Sequence, residues 1–394
     1  MTETVICSIA RTPIGKLNGA LSSLSAVELG TVAMRGAIDR AGLEPSQIQE
    51  VIFGHVIRGG TGQITARQAA VAAGIPMTVP ATNIDKVCLS GMTAIAEADR
   101  RIKLGEAQFV MAGGMESMSN APYVLPSARQ GLGMGDATLI DSMIHDGLFC
   151  SFDQCSMGER ADAKNLELGI ERISQDEWSA LSHERAQQAT DSGALVDEIV
   201  PVTVPRRKGD PVVVDTDEGI RPGTTPESLA RLRAAFTKDG TTTAGNASQI
   251  SDGAAALVVA ERSAAEAANI PIIAEIVAYG QIAGPDATLH ERPAQAIQMA
   301  LKRSEFTTDD LDLVEINEAF ASVALWSADM LGLEPPAVNV HGGGVALGHP
   351  LGATGARIVV TLINALRRRG GGLGAASLCG GGGQGDALVV RVHG

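Results

Sequence analysis

The feature that most limits what this chain can fold into is an order of strands and helices that occurs twice. Near the start, apolar runs with strand character at 5–10, 51–56 and 109–113 alternate with helical patterns at 26–41 and 90–104. Ser25 is placed to cap the first helix. The same order returns near the end, with strands at 272–278, 313–316, 375–378 and 387–392 and helices at 293–304, 320–331 and 354–368. One window shows the relation directly. Arg40-Ala-Gly-Leu43, with Ile48 and Val51, lies over Arg303-Ser-Glu-Phe306, with Leu311 and Val314, at one constant offset. Any two αβ units share some of this pattern, but the element order matches beyond the window, so the chain reads as a duplication. Glycine is abundant (46 residues) and aromatics are only 3%. Small residues let helices and strands approach closely, which suits a layered α/β fold.

Between the halves the texture changes. Residues 120–249 are polar, with the turn-rich Pro205-Arg-Arg-Lys-Gly-Asp-Pro211 and the acidic Asp215-Thr-Asp-Glu218. This reads as an inserted loop domain, a natural place for ligand contacts. The expected division is 1–119 with 250–270 as the first half, 120–249 as the insertion, and 271–394 as the second half.

With 394 residues, the chain is long enough for two or three domains. Its net charge of −14 repels nucleic acid and anionic membranes. No apolar run approaches the roughly 20 residues of a membrane span. The acidic, polar Met1-Thr2-Glu3-Thr4 does not read as a leader, and no targeting tripeptide ends the chain. A cytoplasmic enzyme is expected. The five cysteines (Cys7, Cys88, Cys150, Cys155, Cys379) are odd in number and include no Cys-x-x-Cys, so they form no disulfide framework.

Four segments hold residues suited to chemistry. Cys88, in Val87-Cys88-Leu89-Ser90-Gly91, stands just before a helical pattern, where the positive end of the helix dipole favours thiolate. A buried cysteine in an apolar turn is the competing reading. His349, in Gly348-His349-Pro350, is surrounded by glycines that bring backbone close to a ligand and is suited to act as a general base. Cys379 ends a strand and faces Gly380–Gly383, whose N–H groups can bind an oxyanion. Asn317 leaves a buried strand with Glu318, either at an active site or as a helix cap. Cys150 and Cys155, with His145 and His183, fit no standard zinc spacing, and no metal is expected.

With these segments and four more, the chain resembles the thiolase family nearly end to end. The others are Arg11-Thr-Pro-Ile-Gly15, Gly113-Gly-Met-Glu-Ser-Met118, Ala244-Gly-Asn-Ala-Ser248 and Asp252-Gly253-Ala254. The resemblance implies a pair of five-stranded units stacked as α-β-α-β-α, usually in a homotetramer. It implies that Cys88 is acylated, that His349 activates it and that Cys379 moves the α-carbon proton. One oxyanion hole would use Asn317 with His349 and a water, the other the N–H groups of Cys88 and Gly381. Ser248 would contact the pantetheine arm, Arg221 and Ser228 the coenzyme A, and Met157 would line the short-chain substrate site. Acyl-CoA and CoA are the implied partners, with no further cofactor.

The chain departs from the family pattern at Asp85, Tyr123, Ser156 and His341, where asparagine, histidine, histidine and asparagine are usual, and at Ala163-Lys-Asn-Leu. The expected reaction is the reversible condensation of two acetyl-CoA. A degradative thiolase acting on longer chains is the close alternative. A decarboxylating condensing enzyme of the ketoacyl synthase kind is disfavoured by Cys379, and a non-catalytic lipid carrier by the intact Cys88, His349 and Cys379.

Overall fold

The structure is a computed structural model and describes residues 2–394. The first half contains β1 (Thr4–Arg11), α1 (Ala26–Ala41), β2 (Glu50–Gly54), α2 (Thr65–Ala72), β3 (Ala81–Ile84), α3 (Ser90–Lys103) and β4 (Phe109–Ser117). The middle segment carries α4 (Met157–Leu168) and α5 (Arg172–Asp191). The chain then runs through β5 (Ser251–Glu261), β6 (Ala274–Ala283), α6 (Arg292–Leu301), β7 (Leu313–Ile316), α7 (Ala321–Met330), α8 (Leu351–Arg368), β8 (Gly372–Gly380) and β9 (Gln384–Val392).

Strand order shows the duplication. In the first half it is β3-β2-β4-β5-β1, and in the second β7-β8-β9-β6. Pairing agrees at each step: β2 and β7 run parallel to β4 and β8, which run antiparallel to β5 and β9, which run antiparallel to β1 and β6. The counterpart of β3 is reduced to Val338, which makes a single parallel bridge to Val314 of β7. β1 and β6 join the two sheets through Val5–Glu275 and Ile6–Ala274.

Alternate residues of each strand feed different layers, because successive side chains point to opposite faces. On β5, Ala254, Ala256 and Val258 pack under α1 and α2, whereas Ala255, Leu257 and Val259 face α3 and α8 between the sheets. On β9, Ala387 and Val389 pack under α6 and α7, and Leu388 and Val390 face the centre. Five layers result, with α3 and α8 as the buried middle. The middle layer is thin because residues there are small. A β-carbon on Gly114 would lie 1.9 Å from the Gly352 carbonyl oxygen, so only glycine lets β4 approach the start of α8.

Local chemistry sets the helix ends. Ser25 accepts from the Glu28 N–H while Glu28 accepts from the Ser25 N–H, a capping box, and Gly42 closes α1 at φ 67°. The middle segment is fastened to β1 by Arg11. This fully buried guanidinium donates to Glu198 at 2.5 Å and to both oxygens of Asp217 at 2.7 and 2.8 Å. The Arg11 motif is therefore a structural clamp. Asp217→Ala strands part of a buried cation and is expected to destabilise the protein by about 3–5 kcal/mol. A urea midpoint unchanged from the parent protein would contradict this.

No helix among the described residues is long and apolar enough to cross a membrane.

Candidate active site

Residues from both halves of the chain and from the middle segment converge on one chamber. It has a volume of about 50 Å³ and is lined by Cys88, His349, Cys379, Gly380 and Gly381, closed by Leu148, Met157, Leu289, Ala319, Phe320 and Leu351. Ser248, His349, Met157 and Phe320 also line an outer cavity of about 480 Å³, so the two adjoin. The outer cavity is largely apolar, with Lys16 and Arg221 among its lining residues.

Cys88 is presented by a strained turn. Val87 has φ 49°, a left-handed conformation that is an outlier for a β-branched residue and costs on the order of 1–3 kcal/mol. Ser90 holds the turn, its hydroxyl accepting from the Lys86 N–H at 2.8 Å and donating to the Val87 carbonyl at 2.6 Å. Lys86 is tied to buried Asp386 at 2.7 Å. The backbone N–H groups of Cys88 and Gly381 act on this sulfur and favour its anion.

The expectation of a resting thiolate is corrected by burial. A helix N-terminus favours an anion by about 0.3–1 kcal/mol, less than one pKa unit at about 1.36 kcal/mol each. Desolvation is larger and pushes the Cys88 thiol up to about 12, against the two N–H groups that lower it. Burial likewise raises the Cys379 thiol, with Cys88 nearby adding to the effect. Both sulfurs are held as thiols.

His349 is oriented by a residue that the sequence did not single out. The Thr354 hydroxyl donates to the Pro350 carbonyl at 2.9 Å and lies 2.6 Å from His349 Nδ1. With its proton spent on the carbonyl, that oxygen accepts from Nδ1–H. Nε2 is left unprotonated and has no protein partner. Burial, with a smaller effect from Arg357, lowers the imidazole to about 3, so it is neutral at physiological pH. The thiol and imidazole are thus both uncharged at rest, the state in which a base can take the proton as the sulfur attacks.

Asn317 is fully buried, and neither amide atom has a protein partner. Its neighbours Ala319 and Phe320 line the chamber, whereas Asn317 stands behind them. Glu318 fixes this segment. Its carboxylate accepts from Trp178 Nε1 (2.9 Å), Ser182 Oγ (2.7 Å), Asn339 Nδ2 (3.0 Å) and the Val345 N–H (3.0 Å). Trp178 and Ser182 lie on α5, so the middle segment braces the base of the site.

The remaining candidates divide. Met157, Ser248 and Arg221 line the outer cavity. Ser228 does not: its hydroxyl donates to the Thr225 carbonyl at 2.7 Å and accepts from the Thr225 N–H at 3.0 Å, closing a local turn. Lys16, on the same wall as Arg221, had no distinguishing mark in the sequence. Cys150, Cys155, His145 and His183 form no metal-binding group, and no cluster of three or more potential ligands occurs among the described residues.

Asp85 is exposed, accepts from the Val87 N–H at 3.2 Å and lies 3.7 Å from Arg58. The acid that acts on Cys88 is Glu116, which accepts N–H groups from Val56, Ile57 and Gly352 and is pushed up to about 7 by burial. Asp85→Asn is therefore expected to leave the alkylation pH profile of Cys88 unchanged. A downward shift of half a unit or more, roughly 0.7 kcal/mol, would return Asp85 to the site.

The duplicated layered fold, with a cysteine and a neutral histidine sharing a small chamber, defines an enzyme of cysteine-based group transfer. Family comparison makes this specific. The thiolase N-terminal domain matches residues 4–263 and the thiolase C-terminal domain residues 270–392, so the chain belongs to the thiolase family. It is 52% identical to a Mycolicibacterium smegmatis protein named probable acetyl-CoA acetyltransferase, over 98% of this chain and 100% of that one. It is 48% identical to the acetyl-CoA acetyltransferase of Cupriavidus necator, over 99% and 100% of the respective chains. The crystal structure of the Bacillus anthracis acetyl-CoA acetyltransferase superposes with a TM-score of 0.96 at 41% identity, covering 100% of this chain and 99% of that one. The protein is an acyltransferase of the thiolase type.

Proposed function

We propose that this protein interconverts two acetyl-CoA with acetoacetyl-CoA and CoA through an acyl group on Cys88. The observation that carries the short-chain reading is the size of the inner chamber. Its roughly 50 Å³ is about a tenth of the outer cavity's 480 Å³. A two-carbon acyl group suits it, and a long chain has no room beside Met157, Leu289 and Phe320. The names carried by the relatives support the same substrate. A ladder of 3-ketoacyl-CoA substrates tests this. The four-carbon substrate should have the highest kcat/KM, and equal or better turnover of eight-carbon and longer substrates would favour the degradative reading.

In the first half-reaction Cys88 Sγ attacks the thioester carbonyl while its proton passes to His349 Nε2. The developing oxyanion is received by the N–H groups of Cys88 and Gly381, and CoA leaves with the proton. In the second, the Cys379 proton passes to the now neutral His349 Nε2, and the Cys379 thiolate takes a proton from the α-carbon of another acetyl-CoA. The enolate oxygen accepts from the Nε2–H that His349 has just gained and from a water held by Asn317, and the carbanion attacks the acyl-Cys88 carbonyl. The S–C bond breaks, and Cys88 leaves as a thiolate that takes the proton from His349 Nε2, restoring both thiols and the neutral imidazole.

Coenzyme A is polyanionic, and the chain's net charge is −14, so its binding relies on local cations. Arg221 is exposed at the outer cavity and Lys16 is partly buried there. Arg221→Ala is expected to raise KM for CoA several-fold with kcat little changed, the pattern of lost uniform binding. An unchanged KM would place the anion site elsewhere. Ser228, turned into its own loop, is left out of this assignment. We assign the protein to the cytoplasm and to a homotetramer on family grounds.

A further inference from the structure

We propose that Cys150 and Cys155 are a peroxide-sensitive dithiol that closes into a disulfide and pins one wall of the catalytic chamber. The two residues face each other across a short antiparallel hairpin, Phe149–Cys150 against Cys155–Ser156. Facing residues in such a ladder have α-carbons about 4.5–5.5 Å apart, inside the roughly 4.4–6.8 Å that a disulfide spans. Their side chains lie on the same face of the hairpin. Cys150 is buried and its sulfur accepts from the Asp153 N–H at 3.4 Å, while Cys155 is partly exposed. Neither sulfur has a role in the proposed reaction.

The hairpin belongs to the chamber wall. Gly147 and Leu148, just before it, and Met157, just after it, line the chamber with Cys88. Phe152 at its tip packs on the glycine loop, its ring 3.1 Å from where a β-carbon on Gly382 would stand. A bond between Cys150 and Cys155 ties the strands carrying these wall residues to each other. Cys7 and Cys379 are buried, and of the two part-exposed thiols Cys88 lies in the chamber, where bound acetyl-CoA covers it, so Cys155 is the one left open to an oxidant.

The chemistry balances with a peroxide as oxidant. The Cys155 thiolate attacks the O–O bond, giving a sulfenic acid and hydroxide, which takes a proton to become water. The Cys150 thiol then attacks the Cys155 sulfur, forming the S–S bond and releasing a second water. Two thiols lose two electrons and two protons, and one peroxide becomes two waters. Burial raises the Cys155 thiol above its ordinary value, so sustained peroxide rather than a brief pulse should drive the first step.

The test is mass spectrometry of the full-length protein after exposure to hydrogen peroxide with acetyl-CoA present. The expected result is loss of two hydrogens, a single cross-linked peptide containing Cys150 and Cys155 without reduction, and reversal by dithiothreitol. Cys155→Ser and, separately, Cys150→Ser should each retain untreated activity and lose the cross-link. Peroxide should change the thiolysis KM or kcat of the parent protein at least about twofold, reversibly, and leave Cys155→Ser unchanged. A cross-link joining only Cys88 and Cys379, or added oxygen without any cross-link, overturns the proposal. A cross-linked protein with unchanged kinetics overturns its effect on the chamber. The cross-link is read without any assay of turnover, so its failure is distinct from a failure of the proposed reaction.

Discussion

His349→Ala is expected to lower thiolysis of acetoacetyl-CoA by about 10²–10⁴-fold, the range of a positioned general base. The effect should be large because His349 is the only imidazole in the chamber with the Cys88 thiol. A thiol held near 12 is almost wholly protonated at neutral pH, so the reaction depends on proton transfer during attack. His349 Nε2 is prepared for that transfer, since Thr354 fixes the proton on Nδ1. Both half-reactions should suffer, because the imidazole serves in acylation and in holding the enolate. Loss of enolate absorbance on adding CoA measures the rate. A reduction below tenfold in a folded variant would show that another group takes the proton.

The two cysteines should separate by mutation. Cys88→Ala removes the acyl acceptor and is expected to abolish acyl-enzyme formation and turnover together. Cys379→Ser is expected to reduce turnover by about 10²–10⁴-fold, because a hydroxyl is a far poorer acid and base than a thiol at neutral pH. Acylation requires a nucleophile, a base and an oxyanion hole, and the Cys379 side chain supplies none of them. Burial raises both thiols, and Cys88 adds to the rise at Cys379. Equal loss of both steps in Cys379→Ser would assign this residue to acylation.

Much of the fold was legible because its signals are local. The helix Ala26–Ala41 was readable from its apolar pattern and its cap at Ser25, and Glu28 and Gly42 complete its ends in the structure. The strand Ser251–Glu261 was missed because both its faces are covered: ten of its eleven residues are buried, and alternation disappears. The strand Ala81–Ile84 is short and mixed in burial, so it carried little periodic signal. At the site, glycine-flanked Cys88, His349 and Cys379 stood out, and the structure brings all three to one chamber. The turn at Val87 could not be read, since a β-branched residue is the last expected at a positive φ. Thr354 and Glu318 act through hydrogen bonds to distant partners, which no local pattern records. The thiol's state was misjudged because dipole stabilisation is visible in sequence order and desolvation is not.

In the proposed reaction Cys88 carries the acyl group, and Cys379 is not needed to put it there. Mass spectrometry of Cys379→Ser after brief incubation with acetyl-CoA tests this most directly. The account predicts the added mass of one acetyl group, located on the peptide containing Cys88 and absent in Cys88→Ala. A folded Cys379→Ser protein that binds CoA yet shows no adduct on Cys88 would contradict it.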